Sequence, residues 1–345
     1  MTRLHAWLLL CIAAASPALA QDTAFVASDG ARPVIRPDGT YFFNHLPNST
    51  LVFEGQIAPR ILIMDSIADA TDEVLDGGVH WGWSLSTTPM VKLRMFREAS
   101  SPVRTPSYMP KGNLQFARLR NVSRAPADDE IARGRGPIEM WLIDVIPFGH
   151  HSNGQNGCLF TNQTRNANGD CIVTDPSRPR AVNKVDGSFS TNYIEAGVYY
   201  SRLHNDSGDN VFQTKREWRT GVGLQLNPKW YLGGAIDDEL ADLYGQTRVF
   251  FEGNMAGRDH AFCGRLEGQV QLHYIHDAPA PIPSVTTVIE GACLPKRWGG
   301  TGIFVKFYNG QDYYNLGFAE KLTRFQVGFT LQRATFLSFA PSTGP

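Results

Sequence analysis

Apolar and polar side chains alternate at every second residue over several stretches, and this period of two constrains the fold most. Successive residues of a β-strand point to opposite faces, so such a stretch gives a strand one apolar and one polar face. No stretch shows comparably strong helical periodicity. The sequence therefore predicts an all-β protein. The apolar positions are Phe325, Val327, Phe329 and Leu331; Trp218, Val222, Leu224 and Leu226; and Ile194, Ala196 and Val198.

Alternation alone leaves two folds open. A soluble sandwich would bury the apolar face as its core, whereas a membrane barrel would turn that face towards lipid and its polar face towards a lumen. The chain is only 42% hydrophobic, with a mean hydropathy of −0.23, yet it holds 20 Phe, 11 Tyr and 7 Trp. Arg and Gln stand opposite the bulky side chains. We predict a transmembrane antiparallel β-barrel of about twelve strands.

Clusters of Asn, Asp, Ser, Gly and Pro separate the alternating runs and predict turns or loops. The runs lie in a predicted barrel domain at residues 50–333, after an irregular segment at 21–49 and before a tail at 334–345. The twelve predicted strands lie near residues 51–58, 79–87, 90–98, 109–120, 137–150, 192–203, 216–226, 244–255, 262–276, 285–294, 302–309 and 322–332.

Residues 1–20 have the three parts of a secretory signal peptide. Arg3 gives a positive start, residues 6–15 are apolar, and Ala18-Leu19-Ala20 is a small-residue cleavage site. The apolar run is too short to cross a bilayer as a helix. We expect cleavage after Ala20 and export of the remaining chain. The formal net charge of −1 gives no indication of a nucleic-acid partner.

Four cysteines remain after such cleavage, because Cys11 lies in the signal peptide. Four cysteines allow three pairings, and an oxidising compartment favours disulfides over isolated thiols. The preferred pairing joins Cys158 to Cys171 and Cys263 to Cys293. Metal ligation is disfavoured, because the sequence has no C-x-x-C pair with a matching His.

His150 and Ser152 are the first candidate catalytic residues. They follow a strand-like run from Ile138 to Ile146. Residues two apart on a strand share a face, so the imidazole can take the hydroxyl proton and create a nucleophile. The same spacing is common in surface loops, and it does not by itself identify an active site.

Asn192 is the third candidate, because it opens the next predicted strand. It has the same parity as the apolar set Ile194, Ala196 and Val198. If the two strands pair as a hairpin, Asn192 lies beside His150 and its amide can accept the imidazole N–H, as in Cys-His-Asn proteases. The alternative is an ordinary Asn at the start of a strand.

Four separated blocks resemble the outer membrane phospholipase A family. The family's His-x-Ser-Asn-Gly motif is similar to residues 150–154, and its Ser-x-Ser-x-Asn motif is similar to residues 188–192. The Ser-Ser-Pro-Phe-Arg-x-x-x-Tyr-x-Pro loop resembles residues 100–110, and the last family strand resembles residues 323–329. The blocks stand in the family's order. The resemblance covers about residues 95–203 and 300–332.

The resemblance implies a twelve-stranded barrel of a Gram-negative-type outer membrane, with its catalytic groups on the lipid-facing wall. Its activity would be hydrolysis of phospholipid acyl esters, of the phospholipase A1/A2 type. By match, His150 is the base, Ser152 the nucleophile and Asn192 the residue that orients the base. The backbone N–H of Gly154 would be the oxyanion donor.

The same resemblance implies Ca²⁺ as cofactor and a homodimer as the active form. The predicted calcium ligands are the Ser188 hydroxyl, the Gln155 backbone carbonyl and Ser100 of the facing subunit. The family usually has Arg where this chain has Gln155, and its loop to residue 188 is shorter. Within the longer loop, Asp175 and Ser177 also resemble part of the family's calcium loop and are the alternative ligands.

Two other functions stay open at this point. An outer membrane lipid A deacylase also carries a His-x-Ser-Asn pair on a barrel wall. A non-catalytic porin or binding barrel would make the motif a coincidence. An outward position of His150 and Ser152 would favour an enzyme over a porin.

Overall fold

The fold is taken from a computed structural model. The predicted signal peptide, most of the segment at 21–49, the predicted calcium ligand Ser100 and most of the tail lie outside the described residues. The structure describes residues 40–44, 51–74, 77–97, 103–122, 136–205, 216–228, 238–258, 262–276, 278, 282–298, 301–314, 316–331 and 336–338.

Within these ranges, strands dominate and helices are short. The helices are α1 (Ile67–Glu73), α2 (Asp238–Tyr244) and one 3₁₀ turn (Lys296–Trp298). The strands are β1 (Tyr41–Asn44), β2 (Leu51–Ile57), β3 (Arg60–Asp65), β4 (Val79–Thr88), β5 (Val91–Phe96), β6 (Val103–Tyr108), β7 (Lys111–Asn121), β8 (Gly136–Ser152), β9 (Gln163–Arg165), β10 (Cys171–Val173), β11 (Ser190–Asn205), β12 (Arg216–Leu226), β13 (Thr247–Arg258), β14 (Arg265–Ile275), β15 (Val285–Leu294), β16 (Thr301–Gln311), β17 (Lys321–Leu331) and β18 (Phe336–Ser338).

The sheet closes into an antiparallel barrel. β8 pairs with β11, each later strand up to β17 pairs with the next, and β17 pairs with β1 to close the ring. Three spanning strands are each made of two segments in series, namely β2 with β3, β4 with β5, and β6 with β7. Counted in this way and with the short β1 included, the barrel has twelve strands, and the predicted fold class is confirmed.

A proline stands at each of the three interruptions. Pro59 separates β2 from β3, Pro89 separates β4 from β5, and Pro110 separates β6 from β7. Proline has no N–H to donate, so a ladder of strand hydrogen bonds is broken where it occurs. Ala58, Met90 and Met109, each adjacent to one of these prolines, pack together as a small apolar cluster. The interruptions therefore align across three neighbouring strands.

The predicted strands differ from the structure in several places, among them β3 and β6, which lie outside the predicted ranges. The runs predicted as separate strands at 79–87 and 90–98 are β4 and β5, two segments of one spanning strand. The segment at 21–49, predicted to be irregular, contains β1, whose four residues close the barrel against β17. β1 is too short to show alternation, and for this reason only its pairing reveals it.

The outer face is apolar and the inner face is polar, as a membrane barrel requires. Trp81, on the outer face of β4, is 70% exposed. Inside, Arg94 forms ion pairs with Glu54 and Asp312, at 2.7 and 2.8 Å. Other exposed apolar side chains of the outer face are Phe116, Trp141, Ile143, Val198, Val222, Val249, Phe251, Val270, Leu272, Ile289, Val305, Phe325, Val327 and Phe329.

An apolar cluster packs at each end of the lumen. At one end, Ile67, Ala70 and Val74 from α1 and the residue after it pack on inward side chains of β7, β8, β11 and β13. At the other end, α2 packs with residues of two loops, 153–189 and 312–320. None of the described helices is long and apolar enough to cross a membrane.

Both predicted disulfides are present, so the preferred pairing is confirmed. Cys158–Cys171 lies within the long loop 153–189, which also holds the β9–β10 hairpin. Cys263–Cys293 joins the segment before β14 to β15. The first disulfide therefore braces the loop that follows the candidate nucleophile.

Candidate active site

A β-bulge near the end of β8 sets which of its side chains face outward. Up to Ile146, the even-numbered residues face the lumen, and outward positions include Trp141 and Ile143. The register against both β7 and β11 then shifts, because two residues of β8 oppose one residue of each partner. Beyond the bulge the parity is reversed, so His150 and Ser152 face outward and His151 faces inward.

His150 and Asn192 are register partners across β8 and β11. His150 Nδ1 lies 2.7 Å from Asn192 Oδ1. Asn192 has the outward parity of Ile194 and Val198, yet it is only 3% exposed, because its neighbours cover it. A covered amide has few competing water partners, so the hydrogen bond holds the imidazole in one orientation.

This hydrogen bond also defines the tautomer of His150. The oxygen of an amide can only accept, so Nδ1 must carry the proton and donate it to Asn192. Nε2 then has a free lone pair and can act as a base. The predicted contact between His150 and Asn192 is therefore present in the described geometry.

Ser152 ends β8 on the same face as His150. It is half-buried and pairs with Ser190 of β11 and Tyr108 of β6. The side chains of Ser152 and His150, both within the described residues, form no hydrogen bond with each other. Catalytic hydrogen bonds are often long before substrate binds and tighten only in the reactive complex.

Neighbouring backbone fixes the end of β8. The His150 N–H donates to the carbonyl of Pro110, at 2.9 Å, where β6 and β7 are interrupted. On the luminal side, the ring of Tyr193 lies across Gly149, and a Cβ at that glycine would come within 2.2 Å of the ring. Gly149 is therefore required for this packing, and the residue before the base is held from both sides.

Gly154 lies two residues after the candidate nucleophile Ser152, at the start of the loop. Its φ of +66° lies in the left-handed region, which glycine adopts without strain. A Cβ there would lie 3.2 Å from the ring of Tyr108. Among described residues, no hydrogen-bond acceptor is found for its N–H. This N–H, two residues after Ser152, is available to a ligand.

Asn153 joins the start of the long loop to its end. Its Nδ2 donates to the Gly187 carbonyl at 2.6 Å, and its Oδ1 accepts from the Phe189 N–H at 3.1 Å and the Gln155 N–H at 3.4 Å. The side chain is 1% exposed. Asn153 thus brings the Gln155 segment beside the segment that contains Ser188.

Two of the predicted calcium ligands therefore lie on adjacent segments. Ser188 N–H donates to the Gly157 carbonyl at 3.0 Å, while the Ser188 hydroxyl has no hydrogen-bond partner among the described residues. A free hydroxyl and the carbonyl of Gln155 are hard oxygen donors of the kind that calcium binds. The two residues fit the ion, and Ser100, the third predicted ligand, lies outside the described residues.

The alternative calcium ligands are engaged with each other. Asp175 Oδ1 accepts hydrogen bonds from the backbone N–H and hydroxyl of Ser177, and Oδ2 pairs with Arg178 at 3.2 Å. The hydroxyl bond lowers the pKa of Asp175. In the described part of the chain, no group of three His, Cys, Asp or Glu side chains is placed to hold a metal. These contacts favour Ser188 over Asp175 and Ser177.

Two features of the site were not predicted from the sequence. Asn153 stands inside the His-x-Ser-Asn-Gly block, and the only sequence signal for its role was this position. The second is the bulge around Pro147: the family resemblance implies an outward His150, but not the bulge that turns it outward, where the proline has no N–H to donate to the ladder.

No protein-family model matches the chain, and no curated protein matches its sequence. Its fold is similar to solved structures of outer membrane phospholipase A. The protein from Escherichia coli has 13% identity and a TM-score of 0.46, with 90% of this chain and 93% of that chain covered. An active-site mutant of that protein gives 13% identity, a TM-score of 0.44 and coverage of 90% and 93%.

A third similar structure is the calcium-bound dimer of the outer membrane phospholipase from Salmonella typhi. It has 13% identity and a TM-score of 0.44, and the match covers 87% of this chain and 92% of that chain. These three structures belong to the family that the sequence motifs resemble.

Proposed function

We propose that this protein is a serine esterase that hydrolyses acyl ester bonds of membrane phospholipids, with His150, Ser152 and Asn192 as its catalytic residues. The observation that carries the proposal is the 2.7 Å contact between His150 and Asn192, with Ser152 two residues further along the same outward face. Base, orienting amide and hydroxyl thus share one surface. This is the arrangement that nucleophilic catalysis needs.

The position of the site on the barrel favours a lipid as substrate. On β8, the exposed side chains of Trp141 and Ile143 precede the site on the outer face. A molecule that reaches Ser152 from this side comes from the bilayer and not from the lumen. We infer a location in the outer membrane of a Gram-negative-type bacterium, where phospholipids would be the nearest esters.

In the proposed mechanism, His150 Nε2 takes the proton of Ser152 as the Oγ atom bonds to the ester carbonyl carbon. His150 then gives that proton to the leaving alcohol, so that a lysophospholipid departs and the acyl chain stays on Ser152. Water, deprotonated by His150, releases the fatty acid. Asn192 holds the ring throughout, and the Gly154 N–H donates to the oxyanion.

We further propose that the Gln155 carbonyl and the Ser188 hydroxyl hold calcium, together with Ser100 of a second copy in a homodimer. A calcium ion bound there would supply positive charge near the developing oxyanion. Asn153 positions both ligands, because its amide is hydrogen-bonded to the Gln155 N–H and to residues on either side of Ser188.

The alternatives make different predictions. A porin needs an open lumen, whereas apolar clusters pack at both ends of the described barrel. The outward position of His150 and Ser152 also favours an enzyme. A lipid A deacylase would share the catalytic pair but would release acyl chains from lipid A and not from phospholipids.

The test uses the refolded full barrel with a phospholipid and, separately, with lipid A, with and without calcium. Ser152→Ala and His150→Ala should each lower phospholipid turnover on the order of a thousandfold or more, because the residues act as one unit. Asn192→Ala should keep substantial activity, since a neutral amide orients the ring without offsetting its charge. Ser190→Ala, the register partner of Ser152, is the control and should be as active as wild type.

Calcium dependence is tested on the same preparations. Ser188→Ala should raise the calcium concentration that gives half-maximal rate, and Ser177→Ala should not. Wild-type turnover by Ser152→Ala would refute the esterase proposal. A shift for Ser177→Ala alone would move the metal to the other part of the loop, and release of acyl chains from lipid A alone would favour the deacylase.

A further inference from the structure

A polar cavity lies in the lumen directly behind the active-site end of β8. His151, whose two neighbours are His150 and Ser152, lines it together with residues from several other strands. The lining includes three basic side chains, Lys92, Arg248 and Lys306, but a single carboxylate, Glu290. The cavity is therefore more suited to an anion than to a cation.

Of the three lining cations, Arg248 is the one without a carboxylate partner among the described residues. Lys306 pairs with Glu290 at 3.1 Å, and Lys92 lies 3.9 Å from Glu54. Arg248 is buried, and its Nη2 donates to neutral oxygens, the Tyr244 carbonyl and Gln311 Oε1. Among described residues it has no carboxylate partner, and its Nε has no hydrogen-bond partner. A buried, unpaired charge is costly unless something else neutralises it.

His151 also lines the cavity and has an unsatisfied ring nitrogen. The side chain is fully buried, its Nδ1 lies 2.7 Å from the Tyr244 hydroxyl, and its Nε2 has no partner in the described part of the chain. In the tautomer in which Tyr244 donates to Nδ1, Nε2 carries a proton and is a free donor.

Arg248 and His151 pack on the same two tyrosine rings. The guanidinium carbon lies 3.8 Å from the centroid of the Tyr313 ring and 4.9 Å from that of Tyr244. The centroid of the His151 ring lies 5.2 Å from that of Tyr313 and 5.7 Å from that of Tyr244. Both side chains therefore pack on the same pair of tyrosine rings, which restrict their movement.

We propose that this luminal cavity binds a phosphate-type oxyanion between Arg248 and His151. The Nε–H of Arg248 and the Nε2–H of His151 donate to the oxyanion, which also neutralises the unpaired guanidinium. Arginine is well suited to this role because its planar group forms charge-assisted hydrogen bonds with phosphate oxygens. The anion is either free phosphate or the phosphate of a lipid headgroup. This site is separate from the outward catalytic face and does not depend on esterase activity.

The test is isothermal titration of the refolded full barrel in neutral detergent and phosphate-free buffer. One arm uses inorganic phosphate and the other uses glycerol phosphate, a soluble headgroup analogue. Wild type should bind at least one of them saturably at one site per chain. Arg248→Gln should weaken binding about tenfold or more, because a charge-assisted hydrogen bond is lost. His151→Phe keeps an aromatic ring, removes the donor and should weaken binding to a smaller extent.

Arg219→Gln is the matched control. Arg219 is also a buried arginine of the barrel interior, but it pairs with Glu217 at 2.8 Å and does not line the cavity. Its variant should bind like wild type. Heat-modifiable migration on gels checks that each variant is folded, and Arg248→Lys, which keeps the charge, should lie between wild type and Arg248→Gln.

Each outcome decides the proposal. Binding of inorganic phosphate alone supports a free anion as ligand, binding of glycerol phosphate alone supports a headgroup, and binding of both supports a site that selects only the oxyanion. Absence of saturable binding by folded wild type in both arms would overturn the proposal. An equal loss in Arg248→Gln and Arg219→Gln would also overturn it, because the effect would then follow any luminal charge.

Discussion

Replacing Asn153 by alanine tests whether this side chain couples the nucleophile segment to the proposed calcium ligands. The substitution removes the donor to the Gly187 carbonyl, at 2.6 Å, and the acceptor of the Phe189 N–H, at 3.1 Å. Both of these backbone groups are buried. The third bond, from the Gln155 N–H, is 3.4 Å long and contributes less.

The magnitude follows from what the substitution leaves unpaired. A buried polar group without a partner costs about 1–3 kcal/mol, so two such groups destabilise the joined segments by roughly 2–6 kcal/mol. About 1.4 kcal/mol corresponds to a tenfold change in an equilibrium constant. Even the lower end of this range predicts that Asn153→Ala raises the calcium concentration for half-maximal esterase rate about tenfold or more.

Two measurements check the reasoning, one of them independent of activity. Phospholipid hydrolysis is followed against free calcium, and hydrogen exchange is followed at the Phe189 amide, which should lose its protection. Asn156→Ala is the control, because Asn156 is exposed and only its backbone carbonyl accepts a hydrogen bond, from Arg165. If Asn153→Ala kept both the calcium requirement and the exchange protection of wild type, the proposed coupling would be wrong.

Two further predictions concern packing and the long loop. Gly149→Ala should destabilise the barrel end and lower activity, because its Cβ would meet a tyrosine ring at 2.2 Å. Gly112→Ala is the control, since a Cβ there would meet nothing within 4 Å. The denaturant midpoints of the two variants are compared, and equal midpoints would contradict the prediction. The double variant Cys158→Ser, Cys171→Ser removes a disulfide of sequence separation 13. It should lower the stability of the folded loop by about 3 kcal/mol. Limited proteolysis should then cut residues 159–170 faster, and an unchanged cleavage rate would count against the bracing role.

Local patterns of the sequence were sufficient for the fold class. Alternation over β11, β12 and β17 indicated strands with one apolar face, and a face assignment needs only the period of two. The same reasoning put Asn192 on the outward face with Ile194 and Val198, where the structure has it. The disulfide Cys158–Cys171 could also be preferred from the sequence, because both cysteines lie in one predicted loop.

Other features depended on contacts between residues distant in the sequence. β1 is four residues long, and only its pairing with β17 makes it part of the barrel. β4 and β5 read as two strands because Pro89 interrupts the ladder, and only the sheet shows that they follow in series between the segments β2 and β3 on one side and β6 and β7 on the other. The predicted total of about twelve strands was therefore correct. Which segments form each strand could be assigned only from the closed sheet.

The direction of the candidate base was decided by tertiary structure. Counting parity from Met140 along β8 would place His150 in the lumen, and the bulge around Pro147 turns it outward instead. A bulge is a mismatch of register between paired strands, so it does not exist until β7, β8 and β11 pair. For the same reason, the sequence indicated that His150 and Asn192 could meet, and only strand pairing brought their side chains within 2.7 Å.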